Sequence, residues 1–214
     1  MTSAWKGNHP WAVVYDYLVD HSQVGRLAWK IGMNSDIQKL YDAANEIGTL
    51  PDGAAVLDIP CGGGVALRGI RPRQRLHYVA ADISEDMLER TREEAQRRNV
   101  KIELQQADVS ALPFEDQTFD MVVAFTSLHC FPDPAQAVRE FRRVLKPGGV
   151  LSGSAFLIDN GPLFKPMILI GRQMGLLGPS GSHGDLRMWL ANAGFSAVAL
   201  ERSGGLTYFR GIRR

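Results

Sequence analysis

Val56-Leu57-Asp58-Ile59-Pro60-Cys61-Gly62-Gly63-Gly64-Val65-Ala66-Leu67 is the stretch on which the fold of this chain turns. The run from Ala54 to Ile59 is short and apolar, and its Val, Leu and Ile suit a strand buried on both faces. It ends in an acid and a glycine-rich turn, after which Val65-Ala66-Leu67 can open a helix. Glycines let the backbone approach a ligand with no side chain in between. A helix start adds free N–H groups and the positive end of a dipole. Asp58, at the carboxyl end of the strand, can take a cationic or hydroxyl-bearing group. The order strand, turn, helix predicts a cofactor-binding turn.

Beyond it the chain alternates strand and helix. The pattern predicts strands at His77–Ala81, Ile102–Gln106, Phe119–Phe125 and Val150–Leu157. Ser84 reads as the cap of a helix running to about Arg98, with Glu85 and Asp86 in its first turn. Asp133-Pro134-Ala135-Gln136 is a second helix start. Its helix places Val138, Phe141 and Leu145 inward and stops at Lys146-Pro147-Gly148-Gly149. A last helix, Asp185–Ala193, precedes two strands, Phe195–Leu200 and Leu206–Ile212, expected as an antiparallel edge pair. This alternation implies an α/β fold with a mostly parallel sheet and helices on both faces.

The 214 residues, 45% hydrophobic, suit one domain spanning 1–214. Residues 1–50 read as a helical cap or lid with Trp11 and Tyr15 on it, 51–157 as the cofactor-binding core, 158–184 as an apolar insert, and 185–214 as the final helix and edge strands. Pro162, Pro166, Pro179 and several glycines interrupt the insert, which fits either a docked helix or a mobile lid. A net charge of +1 gives no electrostatic footprint for nucleic acid. Two cysteines without metal-ligand spacing predict neither a metal site nor a disulfide framework. The lack of a signal-peptide pattern or long apolar run predicts a soluble, cytoplasmic protein with no stable membrane insertion.

Two cofactors compete for the turn. A dinucleotide fingerprint uses Gly62 and Gly64, but Leu67 stands where its third glycine belongs and Asp58 is left without a role. Asp82 ends the second strand 18 residues beyond Gly64, where a carboxylate can accept from both ribose hydroxyls, so it supports a nucleoside of either kind. Ile83 and Met87 follow it and can flank an adenine ring, although Met87 also fits ordinary helix core.

Asp58–Gly64 resembles the first motif of class I S-adenosylmethionine-dependent methyltransferases, departing from it at Pro60, which stands in place of a glycine. Gln106-Ala107-Asp108-Val109, Leu112-Pro113-Phe114 with Asp116, Phe119 and Asp120, and Arg143–Leu151 are similar to further motifs of that family. Phe125-Thr126-Ser127-Leu128-His129-Cys130-Phe131 resembles the ubiquinone and menaquinone biosynthesis group. The resemblance implies a Rossmann-like, seven-stranded sheet with an antiparallel final strand, S-adenosyl-L-methionine as cofactor and a small, partly hydrophobic acceptor.

It also implies cofactor contacts at Asp58, Pro60, Cys61, Gly62, Gly64, Asp82, Ile83, Met87, Asp108, Val109 and Thr126. His129 would meet the acceptor, either as the base that deprotonates it or as a residue that shapes the pocket and bonds the backbone. Trp11 and Tyr15 would complete the substrate side. The strand-four end lacks the Asn/Asp-Pro-Pro-Tyr/Phe of nucleobase amino methyltransferases, which argues against nucleic acid as substrate. A monomer or homodimer is expected. The alternatives are a cofactor-binding or partner-supporting protein without catalysis, and a nicotinamide-dependent oxidoreductase.

Overall fold

The strands are β1 Ala55–Asp58, β2 His77–Asp82, β3 Glu103–Gln106, β4 Phe119–Ala124, β5 Leu145–Phe156, β6 Phe195–Ser203 and β7 Leu206–Arg213. They form one sheet in the order β3-β2-β1-β4-β5-β7-β6. The computed structural model that shows this describes residues 34–162, 164–175 and 177–214. Neighbours from β3 through β5 are parallel, and β7 runs antiparallel to both β5 and β6. This is the α/β, Rossmann-like, seven-stranded architecture expected from the sequence. Trp11 and Tyr15 lie outside the described residues.

The described residues form five α-helices: α1 Ile37–Asn45, α2 Glu85–Arg98, α3 Pro134–Val144, α4 Lys165–Gln173 and α5 His183–Asn192. Alternation along β4 divides the core. Val122 and Ala124 join Leu57, Val138, Phe141, Leu186 and Leu190 on one face, under α3 and α5. Met121 and Val123 join Val56, Ile37, Leu40, Leu67, Leu88 and Ala95 on the other, under α1 and α2. Burying side chains of this size contributes about 1.5–3 kcal/mol each relative to leaving them in water, and does so on both faces of the strands that carry the site.

Local chemistry sets the helix starts. The Asp133 carboxylate accepts the Gln136 N–H at 2.9 Å and Pro134 occupies the first turn of α3. A capping box between Ser182 and Asp185 starts α5 two residues before the expected Asp185. Ser84 occupies the cap position of α2, but its hydroxyl bonds none of the helix N–H groups. Asn99, at φ 54°, closes α2 in the left-handed conformation.

Two expectations are corrected. The element after β1 is not an α-helix but a 3-10 turn, Val65–Gly69. At Gly69 a Cβ would stand 1.8 Å from the Ala44 carbonyl oxygen, so α1 already fills the space a longer helix would need. Ile70-Arg71-Pro72 follows, and a residue before proline is steered away from helical geometry. The second correction concerns Leu145, which opens β5 rather than closing α3. Phe119 pairs with Leu145 and Met121 with Val150, so Lys146–Gly149 bulges out of the ladder, with Gly148 at φ 78°. Lys146 Nζ holds the bulge by ion-pairing with Asp120 at 2.8 Å.

The insert carries a docked helix. Phe164, just before α4, is buried with its ring against Gly205, where a Cβ would meet the ring at 2.9 Å. Asp159, His183 and Thr207 form a chain, with His183 Nδ1 2.8 Å from Asp159 and Nε2 3.0 Å from the Thr207 hydroxyl. Buried Asn160 accepts from the same hydroxyl at 3.0 Å. The start of the insert is thereby tied to α5 and β7.

Candidate cofactor and active site

The order of strands places a topological switch between β1 and β4, since the chain moves outward to β2 and β3 and then returns to β4 on the other side. Ligands in open α/β sheets bind outside the carboxyl ends of strands at such a point. Asp58, Asp82 and Asp108 all fall there, at or just after the ends of β1, β2 and β3, and Thr126 and His129 follow β4.

Backbone bonds draw these ends together. Ile59 N–H donates to Val123 O at 2.9 Å and Cys61 N–H to Ala81 O at 2.9 Å, which extends the sheet into the turn on both sides. Pro60, which has no N–H, falls between these two donors, and its peptide bond with Ile59 is cis. A proline is accommodated where a glycine would otherwise stand because the ladder needs no hydrogen bond from it. Ala107 N–H donates to Asp82 O at 3.0 Å and carries the turn after β3 against β2.

Asp82 is the hub. Its Oδ2 accepts the Gly62 N–H at 3.1 Å and its Oδ1 the Ser84 N–H at 3.0 Å, so one buried carboxylate fixes both the glycine turn and the start of α2. Behind the turn, the Thr91 hydroxyl donates to Gly62 O at 2.6 Å. Gly62 and Gly64 have φ of 51° and 83°, a conformation L side chains rarely adopt. They face different surroundings. A Cβ on Gly64 would meet Leu67 and Glu94, whereas a Cβ on Gly62 would meet no atom of the described residues within 4 Å. Gly62 therefore borders open space, framed by acids.

Asp58 is fully buried and accepts from the Tyr78 hydroxyl at 2.9 Å. Burial is the main cause that pushes its pKa up to about 8, with a further contribution from Asp82, while the Tyr78 bond pulls the other way. Burial likewise drives the Cys61 thiol well above its usual range, and that of Cys130 up to about 12, so neither is a thiolate near neutral pH.

Asp108 forms its own turn, accepting the Ser110 N–H at 2.9 Å and hydroxyl at 2.7 Å, while Val109 is buried. Ile83 is half-buried beside the same edge, and Gln106 Nε2 donates to its carbonyl at 3.1 Å. Met87 is buried on α2. Thr126 adopts φ 50°, an outlier for a β-branched residue, and its N–H donates to the Ser154 hydroxyl at 2.9 Å.

His129 is 3% exposed and its Nδ1 accepts the Phe156 N–H at 3.1 Å. The ring stands edge-on to Phe156, and burial pushes its pKa down to about 3. Of the two roles the sequence allows this histidine, bonding a backbone group is the one with a partner in place. Its carbonyl accepts the Gly178 N–H at 2.7 Å, which seats the end of the insert against the strand-four turn.

Sequence reasoning missed the residues that hold this edge in place. Tyr78, Ser154 and Phe156 act through strand register. Glu140 accepts the Leu112 N–H at 2.8 Å, and Arg143 donates to Leu112 O, Phe114 O, Glu140 and Asp116. These two side chains of α3 pin the loop between β3 and β4. Only the spacing of Glu140 and Arg143, three residues apart on a helix, could have hinted at a pair.

Residues 57–152 match a family model. That stretch is matched as a methyltransferase domain. Over 207 residues the chain is 30% identical to a chloroplastic 2-methyl-6-phytyl-1,4-hydroquinone methyltransferase of Oryza sativa, covering 95% of this chain and 53% of that protein. It is 29% identical over 168 residues to a ubiquinone biosynthesis O-methyltransferase of Xanthomonas axonopodis, covering 74% of this chain and 68% of the other. Of other curated relatives the chain spans less than half the length. A crystal structure of a SAM-dependent methyltransferase from Aquifex aeolicus shares the fold, with a TM-score of 0.64, 20% identity and coverage of 95% of this chain and 98% of that one.

The cofactor of a class I methyltransferase domain is S-adenosylmethionine, and the residues here fit it. Open space at Gly62 leaves room for a ligand against the backbone. The buried Asp82 carboxylate lies beside that glycine, and Asp58 is a buried acid with no cation of the described residues among the groups that perturb it. Among the described residues no helix is long and apolar enough to cross a membrane.

Proposed function

We propose that this chain transfers a methyl group from S-adenosylmethionine to a small, partly hydrophobic acceptor, at oxygen or carbon. The observation that carries the reading is the open space at Gly62, bordered by Asp82 and the buried Asp58 at the switch point of the sheet. Bound S-adenosylmethionine supplies an activated methyl group. The chain's own residues bind and orient: Asp82 holds the turn and faces the ribose, Asp108 and Val109 border the adenine with Ile83 and Met87, and Asp58 balances the charge of the methionine end. Pro60, Cys61, Gly64 and Thr126 shape the backbone around it. Alignment of acceptor and methyl, with water kept out, accounts for most of the catalysis such a site requires.

His129 acts in this reading as a positioning residue at the acceptor side, fixing the strand-four turn through the Phe156 amide. An acceptor of the hydroquinone or phenol class is supported by the names of the rice and Xanthomonas relatives and by the apolar insert, with Trp11 and Tyr15 on the remaining side. Residues 1–50 serve as cap, 51–157 as cofactor core, 158–184 as acceptor-side insert, and 185–214 as the closing helix and edge strands. The near-neutral charge supports a soluble cytoplasmic protein, monomer or homodimer, that does not act on nucleic acid. Turnover of S-adenosylmethionine against a panel of phenols, hydroquinones and carboxylic acids tests the reading. Methylated product from a ring hydroxyl or ring carbon supports it, and cofactor binding with no product from any acceptor would leave a binding protein instead.

A further inference from the structure

Asp58 sits at the carboxyl end of β1, 2% exposed, and the one side-chain hydrogen bond the described residues give it comes from Tyr78. Tyr78 is itself buried on β2, beneath the turn. Among the described residues, the other titratable groups that face Asp58 are Asp82 at the end of β2 and the Cys61 thiol in the turn. Both are acids, and no cation is among them. A carboxylate placed this way has lost its water without gaining a counter-ion from the described residues, and a single phenol hydroxyl does not replace both.

We infer that Asp58 holds a proton in the free protein and releases it to solvent when a cationic group is seated over the glycine turn, with Tyr78 as the residue that positions the resulting carboxylate. The carboxyl O–H bond breaks, the proton passes to the buffer, and the negative charge left on Asp58 is balanced by the ligand's ammonium while Tyr78 continues to donate to Oδ2. The raised pKa of Asp58 agrees with this geometry. The inference rests on the proposal that the turn takes S-adenosylmethionine, and goes beyond it in making binding a proton-linked event.

Affinity for a ligand bearing an ammonium should therefore strengthen with pH, by about tenfold per unit up to about pH 8, as less proton has to be displaced. A nucleoside without that group should show no such dependence. Tyr78→Phe keeps the ring and removes the donor, so it should weaken ammonium-bearing ligands by about tenfold or more and leave the nucleoside unaffected.

The test is calorimetric titration at about pH 6.5 with S-adenosylhomocysteine and with methylthioadenosine, each in two buffers of different ionisation enthalpy. Close to one proton released with the first ligand and none with the second supports the inference. Binding of both with no proton released overturns it and leaves the nucleoside site standing. Binding of neither overturns the cofactor reading, and the inference with it. Carbon-13 titration of aspartate carboxyls in the free protein, assigned by Asp58→Asn, gives a ligand-independent arm: a carboxyl still protonated at about pH 6.5 is expected, and an ionised one would refute the inference.

Discussion

His129 Nδ1 accepts the amide hydrogen of Phe156 at 3.1 Å, and this bond crosses from the turn after β4 to the last residue of β5. An imidazole used this way is neutral and carries its proton on Nε2, because an acceptor nitrogen cannot itself be protonated. Under the proposed function the ring belongs to the wall on the acceptor side. It follows that truncation to His129→Ala should cost about 3 kcal/mol of stability, through the cavity and the buried amide left unpaired. His129→Asn, whose side-chain oxygen can take the Phe156 N–H, should recover about 1 kcal/mol of that. Urea midpoints of the three proteins check this, and equal losses for both variants would show that the bond does not matter.

Two of the buried titratable groups, His129 and Asp58, pull stability in opposite directions with pH. His129, with a folded pKa of about 3 against an ordinary 6.5, binds fewer protons when folded, so its effect lowers stability as pH falls from about 6.5 toward 3. Asp58, with a folded pKa of about 8 against 3.8, binds more protons when folded, so its effect lowers stability as pH rises from about 4 to 8. They offset each other between about pH 4 and 6.5, and above that Asp58 acts alone. Unfolding of the ligand-free protein should lose up to about 1.4 kcal/mol per pH unit between about pH 6.5 and 8, and Asp58→Asn should remove that slope.

Gly62 and Gly178 should respond differently to the same added methyl. At Gly178 a Cβ would stand 2.2 Å from the Phe131 carbonyl oxygen, so Gly178→Ala must displace the strand-four turn and should destabilise the protein by about 2 kcal/mol or more. At Gly62 the methyl meets no atom of the described residues, so Gly62→Ala should cost only about 1 kcal/mol for its positive φ. Its larger effect should be at least a tenfold loss of S-adenosylhomocysteine affinity. Melting curves and titrations of both variants decide the matter, and unchanged affinity in Gly62→Ala would mean that the open space is not ligand space.

Arg143 ties three partners in the loop between β3 and β4, Leu112, Phe114 and Asp116, to α3, and Glu140 on α3 depends on it for charge balance. Arg143→Ala should cost about 2–3 kcal/mol, and Arg143→Lys should recover little, since an ammonium cannot reproduce the guanidinium fork. Full rescue by lysine would reduce the contact to simple charge.

The sequence made the alternation of strands and helices legible because it is written in local periodicity and caps, as at Asp133 and Ser182. The positions of Asp58, Asp82 and Asp108 were legible too, since each ends or follows a strand. What it hid depends on distant packing. The helix expected after Gly64 shrinks to a 3-10 turn because Ala44, far back in the chain, fills the space at Gly69. The partner of Asp58 lies 20 residues away and that of His129 27 residues away, on neighbouring positions only once the strands are in register. No local pattern marks Tyr78 or Phe156 as anything but core.

The central claim is that the turn Asp58–Gly64 and Asp82 together hold S-adenosylmethionine. Calorimetric titration with S-adenosylhomocysteine, run beside NAD and repeated on Asp82→Ala, tests it most directly. Micromolar binding of S-adenosylhomocysteine, none of NAD, and loss of the signal in Asp82→Ala is the expected result. Binding of NAD alone, or of S-adenosylhomocysteine with undiminished affinity in Asp82→Ala, would contradict it.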